Sequence, residues 1–263
     1  MSEGTARPGF TLQAIGGPTA LLTYGGLRLL TDPTFDPPGD YGSGEAVLTK
    51  LAGPALAADR VEPIDAVLLS HDHHPDNLDR AGRAVLTRAG RVLTTSEGAR
   101  RLGGSVTGLA PGDVVELERG SRPSVRVTAV DAQHGPPGVA ERTGPVIGFV
   151  LQARGEPTVY VSGDNASIDV VRDIARRFGP IDVAVLFVGG AQVKAKYGDV
   201  HLTLTAGDAA AAARVLSPAT IIPVHQDGWR HFTSDAAAVE RAFAAAGMGD
   251  RLRSAHPGTT VTA

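Results

Sequence analysis

Residues 62–77, EPIDAVLLSHDHHPDN, place a near-continuous apolar run directly before a dense polar turn. The run at 64–69 is typical of a strand buried on both faces. Positions 71–76 then carry three of the chain's eight histidines and two aspartates. Burying so many imidazoles and carboxylates together is costly without a cation. The turn therefore favours one half of a metal site, although its spacing alone also allows a solvated polar loop.

Three further apolar segments end on a group able to bind a metal. VRVTAVDAQ runs into His134, TVYVSG into Asp164 and TIIPV into His225. Functional sites in layered α/β proteins form where strands end, and rigid strands aim the side chains that follow them. Taken alone, each histidine is typical of a hydrogen-bonded structural residue and Asp164 of a turn residue. Their joint occurrence favours convergence on one metal centre.

The composition narrows the function classes. The chain has 263 residues, a net charge of −3 and no cysteine, so any metal must be held by histidine and carboxylate. The sequence has no stripe of basic residues of the kind that binds nucleic acid. No signal peptide or 18-residue apolar run is visible, so we expect a cytoplasmic protein that is not membrane-bound. Strands and helices alternate without a low-complexity linker, which predicts one α/β domain over residues 1–263.

Local patterns predict the individual elements. An N-terminal antiparallel meander covers FTLQAI, TALLTY and LRLLTDP, and a Pro/Gly-rich loop at 36–44 is long enough to act as a lid. Strand pairs are predicted at 113–118 with 124–130 and at 145–153 with 157–163. Predicted helices cover 76–89, a stretch opened by Ser167 and ended by Gly179-Pro180, 203–216 and 234–246.

With these residues in order, the chain resembles the metallo-β-lactamase-fold hydrolase superfamily, which has a meander, a strand leading into H-x-H-x-D-H, then a single His, a bridging Asp and a late His. LLTDP at 29–33 and IIPVH at 221–225 also resemble its ascorbate-6-phosphate lactonase-like and N-acyl-phosphatidylethanolamine phospholipase D-like branch. The resemblance covers nearly the whole chain. It implies a four-layer αββα sandwich of two packed sheets with helices outside and metals at one sheet edge.

The resemblance also implies ligand roles. His71, His73 and His134 would hold a first metal, Asp164 would bridge, and Asp76 with His225 would hold a second. The motif is irregular, because without gaps the family's Asp falls on Pro75 and its second-site His on Asp76. A one-residue insertion instead places them on Asp76 and Asn77. His74 is an extra imidazole that could substitute, and Asp76 and His74 are the candidate catalytic groups.

The implied cofactor is Zn²⁺, as one or two ions, with Mn²⁺ or Fe compatible with the same donors. The implied function is a metal-dependent hydrolase that uses a metal-bound hydroxide to cleave a small ester, lactone or phosphodiester. Three alternatives stay open: a non-catalytic or weakly active metal-binding protein, a nuclease of the superfamily, and a di-iron redox protein. Oligomeric state is not indicated.

Several residues are candidates for supporting roles. Asp32 is expected to cap a turn or to support a ligand histidine from outside. Residues 194–197 are candidate lid elements. The candidate substrate contacts are His201, His231, Trp229 and Tyr41.

Overall fold

The computed structural model describes residues 9–44, 47–120 and 122–263. The strands are β1 (Phe10–Gly16), β2 (Thr19–Tyr24), β3 (Leu27–Thr31), β4 (Gly39–Tyr41), β5 (Leu48–Lys50), β6 (Ala66–Leu68), β7 (Val92–Thr95), β8 (Val106–Leu109), β9 (Val114–Arg119), β10 (Arg122–Ala132), β11 (Val146–Gln152), β12 (Val159–Val161), β13 (Val183–Phe187), β14 (Thr220–Val224) and β15 (Thr260–Thr262). The helices are α1 (Arg80–Leu86), α2 (Ser96–Leu102), α3 (Ala140–Thr143), α4 (Ile168–Phe178), α5 (Lys194–Tyr197), α6 (Ala206–Leu216) and α7 (Ala236–Ala245).

The strands form two mixed sheets and one small hairpin. The first sheet has the order β15-β1-β2-β3-β6-β7-β8, with an antiparallel meander at β1–β3 and parallel pairing from β3 through β8. The second has the order β14-β13-β12-β11-β10-β9, antiparallel from β9 to β12 and parallel from β12 to β14. Strands β4 and β5 pair separately.

Three apolar clusters define the layers. One joins the facing sides of the two sheets, with Leu12, Leu29 and Leu68 on the first and Phe149 and Val185 on the second. Another packs α4, α6 and α7 on the outside of the second sheet, and a third packs α1 on the outside of the first. The αββα sandwich expected from the sequence is confirmed.

Strand direction brings the four polar strand ends to one edge. In the second sheet, β10, β12 and β14 run the same way, because β10 and β12 both pair antiparallel with β11. In the first sheet, β3 and β6 are parallel neighbours. The backbone of Ser70, just after β6, accepts a hydrogen bond from Ile147 N of the second sheet at 3.1 Å. The loops after β6, β10, β12 and β14 therefore meet across the seam between the sheets.

Most predicted elements are observed, including the meander, both antiparallel strand pairs and α4, whose Ser167 side chain caps Val170 N. The helix predicted at 76–89 is shorter and begins at Arg80, because the Asp79 carboxylate accepts from Gly82 N as the N-cap. Helices α6 and α7 begin two or three residues late for the same reason, capped by Thr205 and Asp235. The loop predicted at 36–44 contains strand β4.

No helix among the described residues is long and apolar enough to span a bilayer.

Gly82 is where α1 touches the loop after β3, and this contact gives a stability prediction. A Cβ at Gly82 would lie 1.8 Å from the Pro33 carbonyl oxygen. We expect Gly82→Ala to lower the free energy of unfolding by about 1–3 kcal/mol, as overpacking does. The matched control is Gly207→Ala in α6, whose Cβ would have its nearest neighbour at 3.9 Å. That change should be neutral or stabilise by about 0.5–1 kcal/mol. Urea unfolding measures both, and equal effects would contradict the assigned contact.

Candidate metal centre

Two overlapping groups of histidine and aspartate lie at this edge. His71, His134 and Asp164 form one, and Asp76, Asp164 and His225 form the other, with ligand atoms within 4.8 Å of one another in each. All five residues are almost fully buried. The first sheet supplies His71 and Asp76, and the second supplies the other three. Asp164 belongs to both groups.

The His71 ring is oriented by a relay from the loop after β3. Asp32 accepts hydrogen bonds from Ser70 N at 2.6 Å and from Ser70 Oγ at 2.8 Å, and Ser70 Oγ lies 2.9 Å from His71 Nδ1. When Asp32 is ionised, the Ser70 hydroxyl gives it its only proton and therefore accepts from His71 Nδ1–H. This tautomer leaves the lone pair of His71 Nε2 free for a cation, the usual arrangement of a metal-bound histidine.

Asp32 is held in that role by an uncommon backbone. Its φ of 27° lies outside the ranges that non-glycine residues favour. Burial raises the pKa of Asp32 to about 7, aided by the nearby Asp164, while the hydrogen bonds from Ser70 and Asn77 oppose the rise. A strained, buried carboxylate behind a ligand histidine matches the supporting role expected from the sequence.

His134 has the same arrangement on the other side of the seam. Its Nδ1 lies 2.8 Å from the Leu202 carbonyl oxygen, which can only accept, so Nδ1 carries the proton. Its Nε2 is therefore a free acceptor and lies 3.7 Å from Asp164 Oδ2. Thr143 Oγ1 also donates to the His134 backbone oxygen at 2.7 Å and fixes the loop.

His74, rather than His73, lies between the two free nitrogens. His74 Nδ1 is 2.9 Å from His71 Nε2 and 3.2 Å from His134 Nε2. Nitrogens bound to tetrahedral zinc at about 2.0–2.1 Å lie roughly 3.3 Å apart. His74 Nδ1 therefore lies near ligand spacing from both of the other imidazole nitrogens.

His73 turns toward other partners, although it lies close enough to group with His71 and His74. Its Nε2 donates to the Thr143 carbonyl at 2.5 Å, and its Nδ1 is 3.4 Å from Arg101 Nη2. Arg101 also holds the Asp72 carboxylate through both Nε and Nη2. The ion pair between the buried Asp72 and the exposed Arg101 thus fixes the backbone between His71 and His73.

In the second group, histidine rings lie against carboxylates. His225 Nε2 is 3.4 Å from Asp76 Oδ2, and His225 Nδ1 is 3.1 Å from Asp164 Oδ1. His231 Nε2 makes a 3.0 Å contact with the same Asp76 oxygen. The Asn77 amide nitrogen lies 3.2 Å from Asp164 Oδ1 and 3.3 Å from Asp32 Oδ2, so it acts as a donor that orients these carboxylates.

The pKa values of the histidines differ between the two groups. Burial lowers the pKa of His71, His74 and His134, and that of His74 falls to about 3, so these rings are neutral acceptors at neutral pH. Burial also acts to lower the pKa of His225, but Asp164 and Asp76 raise it to about 10. Burial acts to raise the pKa of Asp76 and Asp164, yet the histidines around them lower it, so both carboxylates are ionised.

Both groups fit a divalent cation. The two ring nitrogens of His225 are buried without a hydrogen bond of good geometry, although carboxylate oxygens lie nearby. Its backbone φ of 58° is left-handed, which a β-carbon disfavours, and His225 N donates to Gly17 O at 2.8 Å to hold it there. The donor set is imidazole and carboxylate, which suits zinc, manganese and iron.

A cavity of about 260 Å³ opens directly above the centre. His74, Asp76, His134 and His231 reach its floor, and its walls are largely apolar. Of the four residues expected to contact substrate, only His231 lines this cavity. Trp229 lines a separate pocket against Gly17 and Lys50, Tyr41 packs edge-on against Trp229, and His201 lines neither.

Several residues at the centre were not expected from the sequence. The hydrogen bond between Arg101 and Asp72 joins residues 29 positions apart, and that between His73 and Thr143 joins residues 70 positions apart. The role of Ser70 depends on the tautomer of the His71 ring. The sequence did offer one signal, because Ser70 and Asp72 flank His71 directly. Arg142, which also lines the cavity, carried no signal of its own, whereas Lys196 and Tyr197 belong to the stretch 194–197 that was expected to form a lid element.

Comparison with known proteins shows which sequences resemble this chain. A sequence model described as the beta-lactamase superfamily domain matches residues 27–226. A UPF0173 metal-dependent hydrolase from Anaeromyxobacter dehalogenans is 29% identical over 220 residues, which cover 78% of this chain and 70% of the relative.

Two solved structures share the fold. A possible metal-dependent hydrolase from Veillonella parvula superposes with a TM-score of 0.83 at 20% identity, covering 98% of this chain and 100% of the other. An isothiocyanate hydrolase from Delia radicum gut bacteria gives 0.80 at 21% identity, covering 96% and 100%. At these identities the likeness concerns the fold alone.

Proposed function

Because the chain belongs to the beta-lactamase superfamily, we propose that it is a metal-dependent hydrolase that cleaves a small ester, lactone or phosphodiester. The observation that supports this most is the pair of ligand groups sharing Asp164 beneath a cavity of about 260 Å³. A divalent cation held by these residues would lower the pKa of water from 15.7 toward about 7 and polarise the bond to be cleaved.

The distances within the two groups support one ligand assignment. His71, His74, His134 and Asp164 would hold a first cation, and Asp76, Asp164 and His225 a second. This assignment treats the irregular motif as H-x-H-x-D-H with one extra residue between its first two histidines. His74 then takes the place of the second histidine, Asp76 that of the aspartate and Asn77 that of the last histidine. His73, which the sequence pattern favoured as a ligand, becomes a positioning residue bonded to Thr143.

The remaining residues orient water and substrate. Asp76 is too weak a base at neutral pH to keep a proton, because neighbouring histidines lower its pKa. Its Oδ2 instead accepts from water or from His231 Nε2 and fixes their direction. His231 reaches the cavity floor, where its imidazolium form would pass the Nε2 proton to a leaving oxygen and become a neutral ring. The apolar walls exclude bulk water around the reacting atoms.

Metal removal tests the proposal. We expect protein treated with a chelator to lose hydrolysis of 4-nitrophenyl esters and bis(4-nitrophenyl) phosphate, and to regain it with Zn²⁺, Mn²⁺ or Fe²⁺. Elemental analysis before and after treatment gives the identity and number of ions. A chain that binds metal yet cleaves nothing in the panel would favour the second candidate, a non-catalytic metal-binding protein. Asn77 supports that candidate, since its amide donates where the family has a histidine ligand.

Proton release on metal binding provides a separate check. At pH 8, we expect binding at the centre to release about one proton from the protein, because only His225 has a pKa above that pH while His71, His74 and His134 are already neutral. A bound water whose pKa falls toward about 7 would release about one more. Affinity should therefore rise with pH up to about 10. Calorimetry in buffers of different ionisation enthalpy measures the proton count, and His225→Gln should lower it by about one. Release of three or more protons would contradict these charge states.

A further inference from the structure

Two short helices meet above the cavity and bring two cations to it. Arg142, in α3, donates from Nη2 to the backbone oxygen of Lys196, in α5, at 2.8 Å. The Arg142 guanidinium carbon lies 5.2 Å and Lys196 Nζ 4.8 Å from the centroid of the Tyr197 ring. Arg142, Lys196 and Tyr197 all line the cavity. One aromatic ring thus steadies both positive groups at the same wall.

In the described part of the chain these two cations have no acidic partner, unlike their neighbour. Lys194 pairs with Asp199 at 2.7 Å, which neutralises it. Neither Arg142 nor Lys196 has a carboxylate oxygen within 4 Å among the described residues. Within those residues, the Arg–Lys pair is a local excess of positive charge at the cavity wall, in a chain with a net charge of −3.

Tyr197 adds an unused donor. Its side chain is only 8% exposed, and its hydroxyl is buried without a hydrogen-bond partner among the residues that the structure describes. A buried hydroxyl without a partner costs free energy in the folded protein. A ligand oxygen in the cavity would supply the missing acceptor.

This wall is linked to the metal centre through one residue. Thr143 follows Arg142 and contacts two histidines beneath it, with its carbonyl accepting from His73 Nε2 and its hydroxyl donating to the His134 backbone oxygen. An anion held by Arg142 and Lys196 therefore lies in the same cavity as the bond to be cleaved.

We propose that the substrate carries a carboxylate or phosphate group, apart from the scissile bond, which Arg142, Lys196 and the Tyr197 hydroxyl bind. This inference rests on the proposed hydrolase function and narrows its substrate class. Charge-assisted hydrogen bonds to such a group are roughly twice as strong as neutral ones. The apolar residues Leu48, Val193 and Leu202 line the rest of the cavity and contact the uncharged part of the molecule.

Two esters of similar size test the proposal: the mono-4-nitrophenyl ester of glutarate, which is anionic, and 4-nitrophenyl hexanoate, which is neutral. With metal-loaded wild type, we expect kcat/KM to be at least about tenfold higher for the anionic ester. Arg142→Gln combined with Lys196→Gln should reduce this preference toward parity through KM, and Tyr197→Phe should reduce it severalfold. Lys194→Gln is the matched control and should change nothing. Metal content should stay at the wild-type level in every variant.

Calorimetry with glutarate separates failure of the anion site from failure of the hydrolase proposal. If neither ester is cleaved but glutarate binds wild type at least about tenfold more tightly than the double variant, the anion site stands and the proposed reaction falls. Equal cleavage of both esters, unchanged in the double variant, would overturn the anion site and leave the hydrolase. Absence of both cleavage and glutarate binding would overturn both.

Discussion

Asp164→Ala is expected to strip the centre of metal and to reduce hydrolysis by at least about a thousandfold. Asp164 is the one residue common to both ligand groups, and it also contacts Asn77 and the two second-sheet histidines. Cation stabilisation of a developing negative charge is worth several kcal/mol, and each ~1.4 kcal/mol is tenfold in rate. The loss should appear together in elemental analysis and in kcat/KM.

A matched substitution separates this effect from general damage. Asp169→Ala removes a carboxylate five positions later, in α4, where the side chain is 87% exposed. It should keep wild-type metal content and activity. Circular dichroism should show the Asp164→Ala chain still folded, because the apolar clusters between the sheets are untouched. Full metal content in that variant would contradict the shared-ligand assignment.

His74→Ala and His73→Ala are expected to differ sharply, although the residues are adjacent. His74 Nδ1 lies at ligand spacing from His71 and His134, whereas His73 is bonded to Thr143 and lies beside Arg101. Even outer partners of a metal centre are worth 10–100-fold in affinity. We therefore expect His74→Ala to weaken metal affinity more than about a hundredfold, and His73→Ala by about tenfold.

Competition with a chromogenic chelator measures both affinities, and the visible spectrum of Co²⁺-loaded protein reports the ligand set. The His73→Ala spectrum should match that of wild type, while the His74→Ala spectrum should change in shape. The reverse order of effects would restore His73 as the ligand and place the extra residue of the motif after it.

The sequence was sufficient for the individual strands because its apolar runs end at turn signals and metal-capable side chains, while the four-layer arrangement was implied by the resemblance to a known superfamily. Strand β6 followed by the histidine turn, and β14 followed by His225, are local patterns that need no tertiary information. Helix starts were less predictable. The carboxylate of Asp79 caps α1, while Asp76 and Asn77 are drawn into the centre, so the helix loses its first predicted turn.

The proposal that His74, rather than His73, is a metal ligand could not be made from the sequence. It depends on a hydrogen bond from His73 to Thr143, 70 positions away, and on the tautomers set by Ser70 and Leu202. Trp229 shows the same limit. It follows His225 on one loop, yet the chain turns so that its ring packs beside Gly17 and Lys50, away from the cavity above the centre. Proximity along a loop does not determine the side on which a ring lies.

The proposed metal ligands lie on both sides of the boundary between the two sheets, and this should affect the abundance of the protein in a cell. His71, His74 and Asp76 come from one layer, and His134, Asp164 and His225 from the other, so a bound ion fastens the layers together. Since ions bind the assembled form alone, metal starvation should shift chains toward open forms by mass action. Quality-control proteases act on such forms, so the abundance of this protein should follow the supply of its metal.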